Sequence, residues 1–347
     1  MKKNVILIIG GIALLGWIYI AIELLTPLPV GSSYVEVKIP EGTTFRQAIE
    51  ILSKEGLVRD KNLLIFIART SGLDRKIRAG YYSFAGSLNP INILGMLRNG
   101  KIVEYEIKIL EGDSLWEIAK KLSKTGIISE KDFCDLSKDK KFLGAYDIEA
   151  TTLEGYTFPD TYKIPKGMHP NDAIGMMINR MREKFSSDLR ARAKKLGLSE
   201  KQVLTLASVI EKEAIVDEER PLISAVYHNR LKKGMRLQAD PTAIYGVKNS
   251  NQRITARDVR RKTPYNTYII KGLPPGPIAS PGIKSIIAAL YPADVPYLYF
   301  VSNAYGRHHF SVTVKEHVAA IELYKKNKRL KIKTDKNKET TKKDDSS

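Results

Sequence analysis

Residues 203–214 read VLTLASVIEKEA, and this stretch decides how the rest of the chain is interpreted. The run is apolar until two carboxylates, Glu211 and Glu213, interrupt it. Just upstream, Ser199 and Gln202 have the spacing of a capping box, which predicts a helix that begins at Ser199. Because apolar residues fill whole turns of this helix, we expect it to be buried in a core.

A carboxylate on an apolar helix is unfavourable unless it is paired or protonated, and desolvation raises its pKa toward neutral pH. This is how a general acid is produced. The residues three, four and seven positions before Glu213 are Ile210, Val209 and Leu206, whereas those before Glu211 are Ser208, Ala207 and Leu204. The more apolar row favours Glu213 as the acid, with Glu211 as the alternative. Both side chains could instead simply end the helix in water.

Four polar or aromatic stretches surround this helix in the sequence. Residues 234–246 contain an Arg, a Gln and an Asp next to a Pro; residues 263–268 read TPYNTY; and residues 272–282, GLPPGPIASPG, form a conformationally restricted loop. Upstream, residues 153–164 are dense in aromatics and contain two carboxylates. Together these segments predict the rim and wall of a cleft suited to sugar rings, although each could be only a structured turn.

A repeat occupies the N-terminal third of the chain. Residues 37–58 align without a gap with residues 107–128, at an offset of 70. Each copy predicts a short strand, a Glu-Gly turn, a capped helix and a terminating Gly. Each copy resembles the opening of a LysM module, a fold that binds peptidoglycan-like glycans. The alternative is a small scaffold without affinity for sugar.

Residues 5–22, VILIIGGIALLGWIYIAI, contain no charged residue. As a helix they would be about 27 Å long, close to the thickness of a bilayer core. Lys2 and Lys3 precede the run, which predicts a cytoplasmic N-terminus and an outer location for the bulk of the chain. A cleaved signal peptide is the alternative, but the run is long for one and lacks a small-x-small site. Residues 27–36 are expected to be a linker.

The composition excludes several classes of protein. With 57 basic and 38 acidic residues and 43% hydrophobic residues, the chain is basic but globular rather than disordered or polytopic. The single cysteine, Cys134, rules out an internal disulfide and a multi-thiolate zinc site. No metal or cofactor motif is present, and we expect none to be needed. Residues 326–347 are strongly basic and are expected to be a disordered tail. No nucleic-acid-binding motif accompanies it.

Several long motifs resemble those of the YceG-like endolytic murein transglycosylases: LEGYTFPDTY (153–162), LASVIEKEA (206–214), YHNRLKKGMRLQADPTAIYG (227–246), TPYNTYIIKGLPPGPIASPG (263–282) and ALYPADVPYLYFV (289–301). The resemblance extends over about residues 1–325. It implies a lyase that cleaves the MurNAc–GlcNAc bond within peptidoglycan strands without water, leaves 1,6-anhydroMurNAc ends and thereby terminates strand elongation. The family's catalytic carboxylate lies in the Glu-Lys-Glu stretch, and we assign it to Glu213.

The resemblance also implies the organisation and the site. The expected fold class is α+β: an anchor over residues 1–26, a LysM-like repeat region over 37–147 with copies near 37–63 and 107–133, and a catalytic domain over 148–325. The expected partners are peptidoglycan strands and peptidoglycan synthases, at the bacterial cytoplasmic membrane. The candidate substrate contacts are Gln238, Asp240, Tyr265 and Asn266, with Tyr156 and Tyr245 as stacking faces. A two-carboxylate hydrolase, with Glu213 as acid and Asp160 or Asp240 as base, and a non-catalytic glycan-binding scaffold are the alternatives.

Overall fold

The computed structural model describes residues 2–28, 34–72, 77–247, 254–303 and 305–344. The chain divides into two compact units, the first formed by residues 1–107 with 163–169 and the second by residues 108–162 with 170–347. Both units contain helices and short, paired strands. The expected mixed α+β class is therefore confirmed.

The first unit contains the first repeat copy. Its elements are α1 (Lys2–Leu25), β1 (Val35–Ile39), α2 (Phe45–Lys54), α3 (Lys61–Thr70), β2 (Gly80–Phe84) and α4 (Pro90–Asn99). Strands β1 and β2 pair antiparallel, with Val35 opposite Phe84 and Ile39 opposite Gly80. Their inward side chains pack on the apolar faces of α2, α3 and α4 and form one core.

Helix α1 exposes its side chains over residues 4–19. The segment Asn4–Leu25 has a mean hydropathy of 2.6 and is long and apolar enough to cross a bilayer. Trp17, at 72% exposure, lies near its C-terminal end. The length and composition of this helix are those of a membrane span, and a signal sequence has the same properties.

The second unit is mostly helical. Its elements are α5 (Leu115–Ser123), α6 (Glu130–Leu136), α7 (Lys140–Ala145), α8 (Pro170–Lys184), α9 (Ser187–Lys195), α10 (Glu200–Glu213), a 3₁₀ turn (Asp217–Glu219), α11 (Arg220–Lys232), α12 (Asp240–Ile244), α13 (Ala256–Val259), α14 (Ile283–Leu290), β5 (Tyr299–Ser302), β6 (His308–Ser311) and α15 (Val314–Asp344). Two further strands, β3 (Glu104–Lys108) and β4 (Thr161–Pro165), each have residues in both units. Strands β3 and β4 pair, and the boundaries between the units fall within them. Strands β5 and β6 form an antiparallel pair with Tyr299 opposite Ser311.

Helix α10 is the central element of the second unit. Ser199 and Gln202 form the expected capping box at its N-terminus, and the eight residues 203–210 are all buried. It packs against α14, α11 and α12. The predicted buried helix is therefore confirmed, and Glu211 and Glu213 lie in its last turn.

The second repeat copy lies in the same unit as α10. The Gly112 N–H donates to the Ser280 carbonyl (2.9 Å), the Ser280 N–H donates to the Asp113 carbonyl (2.8 Å), and the Lys212 Nζ donates to the Gly112 carbonyl (3.1 Å). The boundary placed from the sequence between residues 147 and 148 lies inside this unit. The two copies therefore belong to different units, although their sequences repeat without a gap.

The C-terminal segment differs from its prediction. The sequence predicts a disordered tail from residue 326, whereas the structure continues α15 to Asp344. The reason is local: residues 314–344 contain no Gly or Pro and are rich in Lys and Glu, which favour helices. The segment also extends a helix that already begins at Val314, so it needs no new nucleus.

Candidate active site

A cavity of about 570 Å³ lies in the second unit, at the C-terminal end of α10. Its wall combines the second repeat copy, the 153–164 stretch, α10, α12 and the Pro-rich loop. Four of its lining residues are acidic: Glu117, Glu154, Glu213 and Asp240. A cavity with several acids in an otherwise partly apolar wall is suited to proton transfer on a polar ligand.

Glu213, the last residue of α10, projects its carboxyl into this cavity. The Tyr227 hydroxyl donates to its Oε1 at 3.3 Å, and the Asp240 backbone N–H also donates to it. Among the described residues, no cation pairs with this carboxyl. Burial, assisted by the negative charge of Asp240, raises the pKa of Glu213 to about 8. Glu213 is therefore protonated at neutral pH, as a general acid must be.

Glu211 has a different environment. Its carboxylate pairs with the Arg220 guanidinium at 2.9 Å and accepts the Gly282 N–H at 2.9 Å. Arg220 also pairs with Asp217 at 3.0 Å, so Glu211 belongs to a buried ionic network. Glu211 is not part of the cavity lining. Its two carboxylate oxygens are therefore occupied by Arg220 and by the Gly282 N–H, away from the residues that line the cavity.

Glu154 is the most buried carboxylate of the cavity, at 2% exposure. It accepts the Leu115 N–H at the start of α5 (3.1 and 3.3 Å to its two oxygens) and the Tyr245 hydroxyl (2.9 Å). Burial raises the pKa of Glu154 to about 7. Gly155 adopts φ +80°, and a Cβ there would lie 2.4 Å from the Pro277 Cβ. Only glycine therefore fits the turn that presents Glu154.

The loop before α12 places Asp240 at the cavity. The Tyr268 hydroxyl donates to its Oδ1 at 2.6 Å. Gln238, two residues earlier, has a left-handed backbone (φ +50°), and its side-chain oxygen accepts from Arg230 Nη1 at 3.2 Å. Arg230 also donates to the Leu237 carbonyl at 2.7 Å, so this guanidinium fixes the loop. Gln238 itself does not line the cavity.

The other candidates are distributed unevenly. Tyr245 lines the cavity and packs against Tyr265 with ring centroids 4.6 Å apart. Asn266 is fully buried and donates to the carbonyls of residues 258, 259 and 261, so its amide holds the loop together. Tyr156 lines a separate cavity of about 370 Å³, with Arg182 and Glu200. Of the six predicted substrate contacts, Asp240 and Tyr245 line the cavity at Glu213.

Comparison with known proteins agrees with the motifs. The family model described as the YceG-like family matches residues 37–323. The chain belongs to the YceG-like family. It is 32% identical over 337 residues to an endolytic murein transglycosylase of Bacillus subtilis, covering 92% of this chain and 91% of the relative. A Streptococcus pneumoniae protein of the same name is 30% identical, over 83% of this chain but 58% of the relative.

A crystal structure of a YceG-like protein from Listeria monocytogenes has the same fold. It superposes with a TM-score of 0.58 at 31% identity, covering 83% of this chain and 99% of that one. The family resemblance inferred from the motifs is therefore confirmed.

In this YceG-like chain, Asp160 is placed differently from the four carboxylates that line the cavity. Its Oδ2 pairs with Arg180 Nε at 2.7 Å, and the pairing helps to keep the pKa of Asp160 low. It does not line the cavity, whereas Asp240 does. Of the two bases considered for a hydrolase, only Asp240 lies beside Glu213. Within the described residues, no group of three His, Cys, Asp or Glu side chains could hold a metal ion.

Two features of the site have no counterpart among the residues singled out from the sequence. The first is Glu154, since the sequence predicts a cleft wall over residues 153–164 but gives this side chain no role. The second is the contribution of α5, because Leu115 and Trp116 line the cavity and Trp116 is 46% exposed. The aromatic-rich run around Glu154 was the available signal for the first. No local signal joins Trp116 to residues about a hundred positions away.

Proposed function

We propose that the chain is an endolytic peptidoglycan lytic transglycosylase and that Glu213 is its catalytic acid and base. The observation that carries the proposal is the Glu213 carboxyl, which faces a cavity and has a pKa of about 8 and no cationic partner among the described residues. Membership of a family whose curated relatives are named endolytic murein transglycosylases supports the substrate class. Glu211, in its ion pair with Arg220, is less suited to the role.

The mechanism uses a single carboxyl. Protonated Glu213 donates to the glycosidic oxygen while the bond to C1 of MurNAc breaks and positive charge develops at C1. The Glu213 carboxylate then removes the proton from the C6 hydroxyl of the same sugar, and O6 bonds to C1. The Tyr227 hydroxyl and the Asp240 N–H stabilise the transient carboxylate by hydrogen bonding. No water is consumed, and the new end is 1,6-anhydroMurNAc.

The anchor and the repeats belong to the same proposal. Residues 5–22 hold the chain in the cytoplasmic membrane, with an N-terminus inside and the bulk outside. The apolar helix Asn4–Leu25 supports the span, and Lys2 and Lys3 before it support its orientation. The LysM-like copies contribute to glycan binding, and the position of Trp116 in the cavity wall supports such a role for the second copy. Cleavage near the membrane would terminate strand elongation beside peptidoglycan synthases.

The test is product analysis by mass spectrometry. Purified glycan strands are digested with the full chain in detergent, and the new ends should be 1,6-anhydroMurNAc, about one water lighter than reducing MurNAc. Cuts should fall within strands. The chain with Glu213→Gln should be inactive, whereas Glu149→Gln, which removes an exposed carboxylate outside the cavity, should cleave normally.

One alternative has a specific observation in its favour. Asp240 lines the same cavity as Glu213 and could activate a water for hydrolysis. Reducing MurNAc ends in the digest would establish this hydrolase and refute the transglycosylase. Absence of cleavage of any strand, with the chain folded and binding glycan, would leave only the scaffold.

A further inference from the structure

The mechanism above leaves one buried carboxylate of the cavity unused, that of Glu154. Its two oxygens receive one backbone N–H, from Leu115, and one hydroxyl, from Tyr245. A carboxylate offers about four acceptor positions, so two donors leave part of its capacity free. Because an incompletely satisfied buried charge is unfavourable, this site is suited to a further hydrogen-bond donor.

Lys212 and Glu117, the two lining residues whose charges act on the Glu154 carboxyl, do not supply that donor. The Lys212 ammonium donates to the Gly112 carbonyl, and Glu117 accepts the Ser114 N–H and hydroxyl, each at 2.8 Å. Within the described part of the chain, neither forms an ion pair with Glu154. The carboxylate is also held in place, because the backbone at Gly155 packs tightly against the Pro277 ring. The acceptor is thus preorganised before any ligand binds.

We propose that Glu154 is a substrate-binding residue whose carboxylate accepts a hydrogen bond from an amide N–H or hydroxyl of an N-acetylated sugar ring bound beside Glu213. This inference rests on the proposed function, since it names a contact of the same site with its glycan. Burial raises the pKa of Glu154 to about 7, and a ligand donor would lower it by stabilising the ionised carboxylate. Leu115 and Tyr245 then position the carboxylate from two sides of the cavity.

The experiment separates binding from cleavage. The full chain carrying Glu213→Gln is titrated in detergent with purified glycan strands by calorimetry. Adding Glu154→Gln should weaken the Kd roughly tenfold or more, the loss expected when a charge-assisted hydrogen bond is removed. Adding Glu149→Gln, at an exposed position outside the cavity, should leave the Kd unchanged. An unchanged Kd with Glu154→Gln overturns the inference.

A second variant separates direct contact from support of Tyr245. Tyr245→Phe keeps the ring and Glu154 but removes the phenol donor, so it should weaken binding much less than Glu154→Gln. An equal loss would mean that Glu154 acts only through Tyr245, which overturns direct contact. If Glu154→Gln does not fold, Glu154→Asp retains the charge and withdraws the carboxylate, and it should weaken binding in the same way; unchanged binding overturns the inference. Failure of the proposed function would appear separately, as missing anhydro ends from the chain with Glu213 intact.

Discussion

Replacement of Glu213 by Gln should make the folded chain more stable at neutral pH while it removes catalysis. Burial raises the pKa of Glu213 from its ordinary value of 4.5 to about 8 in the folded chain. Between these two values the folded state retains a proton that the unfolded state has lost, so the free energy of unfolding falls as pH rises. Gln carries no such proton, and the variant escapes this loss.

The magnitude follows from the two pKa values. Each unit between pH and the unfolded-state pKa corresponds to about 1.4 kcal/mol, which gives at most about 3 kcal/mol at pH 7 and below about 1 kcal/mol at pH 5. Glu213 is only partly buried and its cavity admits water, so solvent screening makes the actual gain smaller. The variant should therefore gain stability that grows between pH 5 and 8 and is constant above.

Thermal unfolding of the full chain in detergent measures this effect. At about 2–4 °C per kcal/mol, the variant should melt several degrees higher at pH 7 and nearly at the wild-type temperature at pH 5. Glu149→Gln, at an exposed carboxylate, is the matched control and should show no such pH dependence. A shift that is equal at both pH values, or a lower melting temperature at pH 7, would refute the assignment of Glu213 as a desolvated, protonated carboxyl.

Three further predictions address its neighbours and the topology. Glu211→Gln should destabilise the chain, by about 3–5 kcal/mol, because it removes the buried partner of Arg220; a wild-type melting temperature would contradict this. The rate of strand cleavage should fall about tenfold per pH unit above pH 8, as Glu213 ionises, and steady-state rates that stay constant to pH 10 would exclude it as the acid. Protease added to spheroplasts should degrade all but a fragment containing residues 5–22, whereas protection of the bulk would indicate the opposite topology.

Local signals predicted the elements of the fold well. The capping box at Ser199 located the start of α10, and the repeat predicted strand, turn and capped helix in both copies, with Thr44 and Ser114 as N-caps. These features depend on residues three or four positions apart, which interact within one helix turn. The sequence therefore contains them explicitly.

Local sequence patterns do not predict the surroundings of the Glu211 and Glu213 carboxylates. The apolar-row argument favoured Glu213, yet all six residues of both rows are buried, so the rows do not separate the two carboxylates. What separates them is the partner: Arg220 reaches Glu211, and Tyr227 reaches Glu213. Those partners lie on the next helix, and their directions depend on how α11 packs against α10.

Loop residues posed the same problem in a stronger form. Asn266 is of a polar residue type that can contact a substrate, but its side-chain amide donates to three backbone carbonyls within the loop. A buried loop must find partners for its own backbone groups, and a short polar side chain often supplies them. A polar residue in a predicted cleft rim can therefore belong to the support of the loop rather than to its surface.

The two repeat copies show how one backbone motif can serve two purposes. At the offset of 70, the cavity residues Leu115 and Trp116 correspond to Phe45 and Arg46. Phe45 is buried in the core of the first unit, and Arg46 is exposed and pairs with Glu50 on the same helix. The second copy instead directs its helix start to the cavity, where Glu154 accepts the Leu115 N–H. Both copies have a capped helix after the turn, and they differ in what the first helical turn faces: the core of the first unit in one copy and the cavity in the other.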